Sequence, residues 1–276
     1  MNHSVPQIKI AILDLYEGLD NQGMRCIRTI LKEWSEVNGL AIVCNEFDVR
    51  RQNEVPDLSY DISISSGGPG SPLDTSETLW EQKYFSWLSS VEFYNKNILN
   101  PNKKRVFFIC HSFQIACRHY NIGNVCKRVS TSFGVFPVYL IGDAKNDIIF
   151  DGLKDPFYVV DSRDYQVIEP NHDVLNKMGA SILAIEKDRS HVAYERAIMA
   201  VRFNEYFIGT QFHPEADAGG MSIYLQREDK KETVIKNHSE AKWKSMVDQL
   251  EDPNKILATY SHILPNFLNT AIEVLS

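Results

Sequence analysis

The 276-residue chain has no CxxC or HxxxH pair and no GxxxxGK[ST] loop. A zinc ribbon, a helical metal site and an ATP site of its own are therefore not expected. Five cysteines, an odd number, argue against a disulfide framework and for a reducing, cytoplasmic setting. No apolar run approaches the roughly 18 residues of a membrane span. The opening MNHSVPQIKIAILDLYEG has no basic region followed by a long apolar stretch, so no secretory leader is expected. A basic stripe is also missing. The net charge of −7 would repel an anionic polymer, so neither nucleic acid nor a membrane is an expected partner. Repeats and low-complexity segments are absent too.

What is present is a β-then-α alternation. Residues 8–15 read as a buried strand, and residues 23–34 as a helix with Met24, Ile27, Ile30, Leu31 and Trp34 on one face. Short apolar runs follow at 40–43, 60–65 and 106–110, with helical patterns at 78–97 and from 111 to Tyr120. This order predicts an α/β fold, an open, mostly parallel central sheet with helices on both faces. Residues 129–140, 157–161, 181–185, 192–201 and 206–212 are strand-like and should add an antiparallel part. The remainder differs: Trp243, Met246, Val247 and Leu250 share a helical face, as do Ile256, Leu257, Tyr260, Ile263 and Leu264, with Pro265 as a kink or boundary. The expected division is an α/β domain over 1–220 and a helical C-terminal extension over 221–276 packed on it.

Three segments carry chemistry. In VFFICHSFQIACR (106–118) a buried strand runs into a helix with Cys110 at the junction. Such an elbow lifts a side chain out at the top of a sheet. The helix N-terminus there favours a thiolate and offers N–H groups to an oxyanion. In QFHPE (211–215), His213 and Glu215 can face one site if the segment is extended, which Pro214 favours. A carboxylate beside an imidazole orients it. In SSGGPGSP (65–72) bare backbone can approach a ligand. Taken singly, these segments also fit a buried cysteine, a solvated loop and a tight turn. All three, however, follow predicted strands, the edge where open α/β sheets bind ligands.

Their order and spacing resemble the class I glutamine amidotransferase domain, over roughly residues 8–215. That family's elbow usually reads G-x-C-x-G-x-Q and its closing motif F-H-P-E; ICHSFQ (109–114) and QFHPE stand here. The resemblance implies that Cys110 attacks the glutamine side-chain amide, with His213 shuttling the proton and Glu215 orienting it. It further implies that the His111 N–H and the glycine loop, Gly68 and Gly70, hold the oxyanion. Gln114 would contact the substrate, and DSRDYQV (161–167), with Tyr165 and Gln166, would grip its amino-acid end. The chain departs from the pattern at Phe108 and Ser112, where the family has glycines, and at Ser132-Phe133-Gly134, where it has an acidic residue before a glycine. Serine is small enough for the elbow. Phenylalanine must find room beside it, which would reshape the substrate pocket.

Three functions follow from this reading. The first is a glutaminase supplying ammonia to an acceptor synthase on another chain, with the C-terminal helices as a docking surface. The second is a free-standing hydrolase or acyltransferase acting on a γ-glutamyl amide or peptide. The third is a binding protein that kept the fold. The substrate in the first two is glutamine or a γ-glutamyl compound, with no cofactor and no metal. Cys26, Cys44, Cys117 and Cys126 read as packing residues. His172, His191 and His238 read as surface residues.

Overall fold

The computed structural model describes residues 7–190, 192–237, 239–250, 252 and 255–272; His191 and His238 lie outside them. The elements run β1 (Ile8–Asp14), α1 (Gln22–Asn38), β2 (Ile42–Asp48), α2 (Val49–Gln52), β3 (Ile62–Ser65), α3 (Leu79–Lys96), β4 (Arg105–Ile109), α4 (His111–His119), β5 (Asn124–Leu140), β6 (Phe157–Ile168), α5 (His172–Met178), β7 (Ser181–Glu186), β8 (Ile198–Arg202), β9 (Phe207–Thr210), α6 (Ala218–Gln226), α7 (Glu228–Asn237), α8 (Glu240–Leu250) and α9 (Ile256–Ile272).

The strands form one sheet in the order β2-β1-β3-β4-β9-β8-β7-β5-β6. Neighbours from β2 to β9 are parallel, and those from β9 to β6 are antiparallel. The α/β class with helices on both faces is thus the observed one. Several strand bounds differ from the sequence reading. β2 starts at Ile42 and runs on through exposed Cys44, Asn45 and Glu46, because an edge strand needs no continuous apolar run. β5 starts at Asn124, and β6 continues through Arg163 to Ile168, because charged groups there are buried in pairs rather than solvated.

The period-two alternation of β1 divides the core into two layers. Ile8, Ile10 and Ile12 face one layer with Met24, Ile27, Ile30, Leu31 and Trp34 of α1. Ala11 and Leu13 face the other with Trp80, Tyr84, Trp87, Leu88 and Val91 of α3. Each fully buried Ile, Leu or Phe in these layers contributes about 1.5–3 kcal/mol. α9 joins the α1 layer through Ile263, Leu264, Phe267 and Leu268. Phe267 meets Phe107 of β4 edge-on at 5.1 Å between ring centres, and the Trp34 indole N–H donates to Asn269 Oδ1 at 2.8 Å. Pro265, expected as a kink or boundary, lies inside α9, and the helix runs on to Ile272. α6, α7 and α8 make a third apolar cluster over Val135 and Val160. Among the described residues, no helix is long and apolar enough to cross a membrane.

Candidate active site

Four neighbouring parallel strands, β1, β3, β4 and β9, each deliver a segment to one edge of the sheet. Cys110 follows β4 and holds φ 48°, ψ −96° before α4 begins. This is a sparsely populated conformation for a residue with a Cβ, and it persists only where surrounding contacts impose it. Two such contacts are visible. The Cys110 N–H donates to Thr210 O of β9 at 2.8 Å. The Ser112 hydroxyl accepts from Ile109 N at 2.8 Å and donates to Ser65 O at 2.8 Å. Where the family has a glycine, this serine ties the end of β3 to the elbow.

Phe108 does not reshape the pocket. Strand alternation turns it to the layer under α3 and α4, where it meets Phe203 and Phe207 edge-on. Cys110 belongs to the opposite layer, with Phe107 and Ile109. The room that Phe108 needs comes from Gly209, its register partner on β9.

The segment after β9 is held by Gln211 N–H to Met199 O at 2.8 Å and by a bridge, His213 N–H to Val160 O at 2.9 Å. It carries His213 beside Cys110, where the sulfur acts on the imidazole electrostatically, and the imidazole hydrogen-bonds Glu215. The Nδ1 to Glu215 Oε1 distance is 2.8 Å. A carboxylate can only accept, so Nδ1 carries the proton and Nε2 is left for the sulfur. Glu215 is buried, and its Oε2 has no hydrogen-bond partner among the described residues. Burial alone would push the His213 pKa down. The Glu215 carboxylate and the Cys110 sulfur outweigh that and lift it well above the usual 6.5.

The glycine loop closes over this pair. A Cβ on Gly67 would lie 3.0 Å from His213 Cε1, 3.0 Å from the Tyr16 hydroxyl oxygen and 3.6 Å from Cys110 Cβ. One on Gly68 would come within 2.5 Å of Leu15 O. Gly70 holds φ 89°, where L side chains are strained. The loop's carbonyls are also held, Pro69 O by Arg50 at 2.6 Å and Pro72 O by Arg118.

The remaining expected contact residues are placed less uniformly. α4 starts at His111, so its first N–H groups lack intrahelical partners. The His111 side chain is buried with Nε2 unpartnered. Burial and the neighbouring Arg50 and Arg118 push its pKa down to about 3, so the ring is neutral. Gln114 Nε2 donates to Tyr165 O at 3.2 Å and to Gln211 Oε1 at 3.1 Å. Gln166 turns its side chain away into a buried charge cluster, accepting from Arg128 at 3.0 Å and Arg189 at 3.2 Å. Glu186 anchors that cluster with Arg163 at 2.6 Å, Arg128 at 3.1 Å and Arg189. Asp161 accepts from Ser132, at the position of the family's missing acid, at 2.7 Å and from Arg163 at 3.0 Å.

Three neighbours of the sulfur were not read from the sequence. Gln211 Nε2 lies 3.8 Å from Cys110 Sγ and links it to Gln114. Ser162 O also lies 3.8 Å from Sγ. Tyr16 reaches in from the turn after β1, and burial, then Glu215 and Cys110, keep its phenol protonated. Gln211 stands inside the closing motif and Ser162 inside the 161–167 segment, and both places are usable signals; Tyr16 carries none. The other cysteines differ from one another. Cys26 and Cys117 are buried, whereas Cys44 is exposed on the edge strand rather than packed. Burial pushes the Cys26 thiol up to about 12.

A thiol on a strained elbow, an imidazole and a carboxylate in series can pass a proton to and from a reacting atom at sulfur. Residues 19–228 match the glutamine amidotransferase class-I family. The chain belongs to that family. Among solved structures, it is similar to a glutamine amidotransferase from Thermotoga maritima, at 15% identity and a TM-score of 0.63 over 96% of this chain and 98% of that one. It is also similar to the glutaminase domain of Trypanosoma brucei CTPS with bound acivicin, at 14% identity and 0.58 over 96% and 94%. A glutamine amidotransferase from Methylobacillus flagellatus gives 13% and 0.57 over 99% and 96%. At these identities the likeness is one of fold. No curated protein matches the sequence.

Proposed function

We propose that the chain hydrolyses the side-chain amide of glutamine and supplies the ammonia to an acceptor enzyme on another chain. The observation that carries this is Cys110 at φ 48°, ψ −96° with the His213 imidazole beside it and hydrogen-bonded to Glu215. Cys110 sulfur attacks the amide carbon, and the developing oxyanion is held by the His111 and Gly70 N–H groups, with Gly68 keeping the loop close. The C–N bond breaks as His213 gives its proton to the leaving nitrogen, and ammonia departs. His213 then takes a proton from water, which attacks the thioester and releases glutamate. Gln114 and the backbone of Ser162 and Tyr165 position the amino-acid end. The setting is cytoplasmic, and the C-terminal helices offer the acceptor a docking surface.

The test is ammonia and glutamate release from glutamine, γ-glutamyl amides and γ-glutamyl peptides. Wild type should turn over glutamine, acivicin should block it, and Cys110→Ala should be inactive. Turnover by Cys110→Ala at the wild-type rate would remove the reading. Activity on γ-glutamyl peptides without activity on glutamine would replace it with a free-standing hydrolase.

A further inference from the structure

We propose that Gln211 is a further catalytic residue, whose side-chain N–H donates to the Cys110 sulfur and stabilises the thiolate that attacks the substrate. The inference rests on the reading above, in which Cys110 is the nucleophile.

Which end of a carboxamide faces a neighbour is decided by the groups around it. Here a backbone carbonyl decides it. Tyr165 O of β6 is an acceptor that cannot be exchanged for a donor, and it lies 3.2 Å from Gln114 Nε2. Gln114 therefore presents its NH2 on that side, and the same nitrogen lies 3.1 Å from the Gln211 carboxamide. Gln211 has to meet it with Oε1, since two NH2 groups would otherwise face each other. That turns Gln211 Nε2, at 3.8 Å, towards Cys110 Sγ as a donor.

The donor is held firmly. Gln211 is fully buried, and its backbone N–H is bonded to Met199 O at 2.8 Å. The preceding residue, Thr210, accepts from the Cys110 N–H at 2.8 Å, so adjacent residues fix both the nucleophile's backbone and the partner of its sulfur. On the sulfur's other side stands Ser162 O, also at 3.8 Å, which can only accept. Sγ thus lies between an acceptor that suits the neutral thiol and a donor that suits the anion. When the thiol proton passes to His213, the electron pair stays on sulfur. The bond to Ser162 O is then lost, and the one from Gln211 becomes charge-assisted and stronger.

The experiment follows alkylation of Cys110 by iodoacetamide against pH, read by peptide mass, together with kcat and KM for glutamine. Wild type is compared with three variants. Gln211→Met keeps the length and loses the donor. Gln211→Asn keeps an amide but stops one methylene short of the sulfur. Gln114→Met cuts only the link to Gln114. The charged and titratable groups around the sulfur are His213 and Glu215 after β9, Tyr16 after β1 and Arg163 on β6, and all are kept.

A hydrogen bond to an ionised partner is worth roughly tenfold or more. In both Gln211 variants the rising limb of the alkylation curve should therefore move up by about one pH unit, a loss of about tenfold in thiolate along that limb. The value of kcat should fall about tenfold with it. Gln114→Met should raise KM about tenfold but slow alkylation by less than about twofold.

A wild-type alkylation curve in Gln211→Met overturns the proposal. So does an equal displacement in Gln114→Met, which would mean that Gln211 acts only by holding Gln114. Should Gln211→Met fail to fold, Gln211→Asn decides in its place, and an unmoved curve there overturns the proposal. If wild type releases no ammonia from glutamine, the functional reading fails. The alkylation curves need no glutamine and still decide the role of Gln211.

Discussion

Phe108 and Gly209 face each other across β4 and β9, and a Cβ added to Gly209 would lie 2.9 Å from Phe108 Cβ and 3.0 Å from Phe108 O. The family glycine missing from the strand before the nucleophile has, in effect, moved one strand over. The close approach at the elbow is kept, with bulk and gap exchanged.

That exchange predicts a coupled pair. Gly209→Ala should destabilise the protein by about 1–3 kcal/mol through overpacking. In a Phe108→Gly background the same substitution should cost less, because the Cβ contact is gone. Thermal unfolding of the four proteins gives the coupling, and strict additivity would refute the compensation.

His111 predicts an acid limb in stability. Its folded pKa is held at about 3, below its ordinary 6.5. The unfolded chain therefore binds a proton between these values while the native state does not. The stabilisation is present above pH 6.5 and is lost as pH falls towards 3. The slope approaches about 1.4 kcal/mol per pH unit. His111→Leu keeps the backbone N–H and should flatten this limb in melting temperatures measured across the range. An identical acid limb in the variant would contradict the burial of a neutral ring.

The pair His213–Glu215 predicts the opposite sign. The folded His213 pKa is raised, so the native state keeps a proton that the unfolded chain loses above about 6.5. The pair's contribution is full below that pH and falls away as pH rises through the folded value. The melting-temperature gap between wild type and Glu215→Gln should therefore be wider at pH 6 than at pH 10. A gap that widens with pH would mean that His213 is neutral in the resting protein.

Glu186 is buried with Arg163, Arg128 and Arg189 around it. Glu186→Ala would leave three buried guanidinium groups, of which Arg163 keeps Asp161 as a partner. Breaking a buried network by removing one partner costs about 3–5 kcal/mol. At roughly 2–4 °C per kcal/mol for a chain approaching this size, melting should fall by about 10 °C. A drop under about 3 °C would show that water reaches the cluster.

Cys110, His213, Glu215 and the glycine loop were legible in the sequence because each directly follows a strand. Chain order alone then carries them to one edge. The α1 stripe was legible because its period matches a helix packed on one side. Tyr16 was not, since a strand order that skips through the sequence decides what it meets. The strand-like character of residues 161–165 was hidden by their charges, which buried partners satisfy. Phe108 was misread because the elbow was considered without the strand beside it, and Gly209 lies about a hundred residues later. Arg50 was invisible for a related reason, as a guanidinium in a four-residue helix has no local mark of the carbonyl it will hold.

The seam between Trp34 and Asn269 joins positions 235 residues apart, and α9 lies on the same face of the sheet as Ile109 and Cys110. During synthesis the part of that face left open by α1 and by Ala144, Ile149 and Phe150 stays uncovered until the ribosome has made α9. A chain halted before α9 would hold every segment of the proposed site and still expose the apolar surface that Ile263, Leu264, Phe267 and Leu268 cover, a surface prone to aggregation.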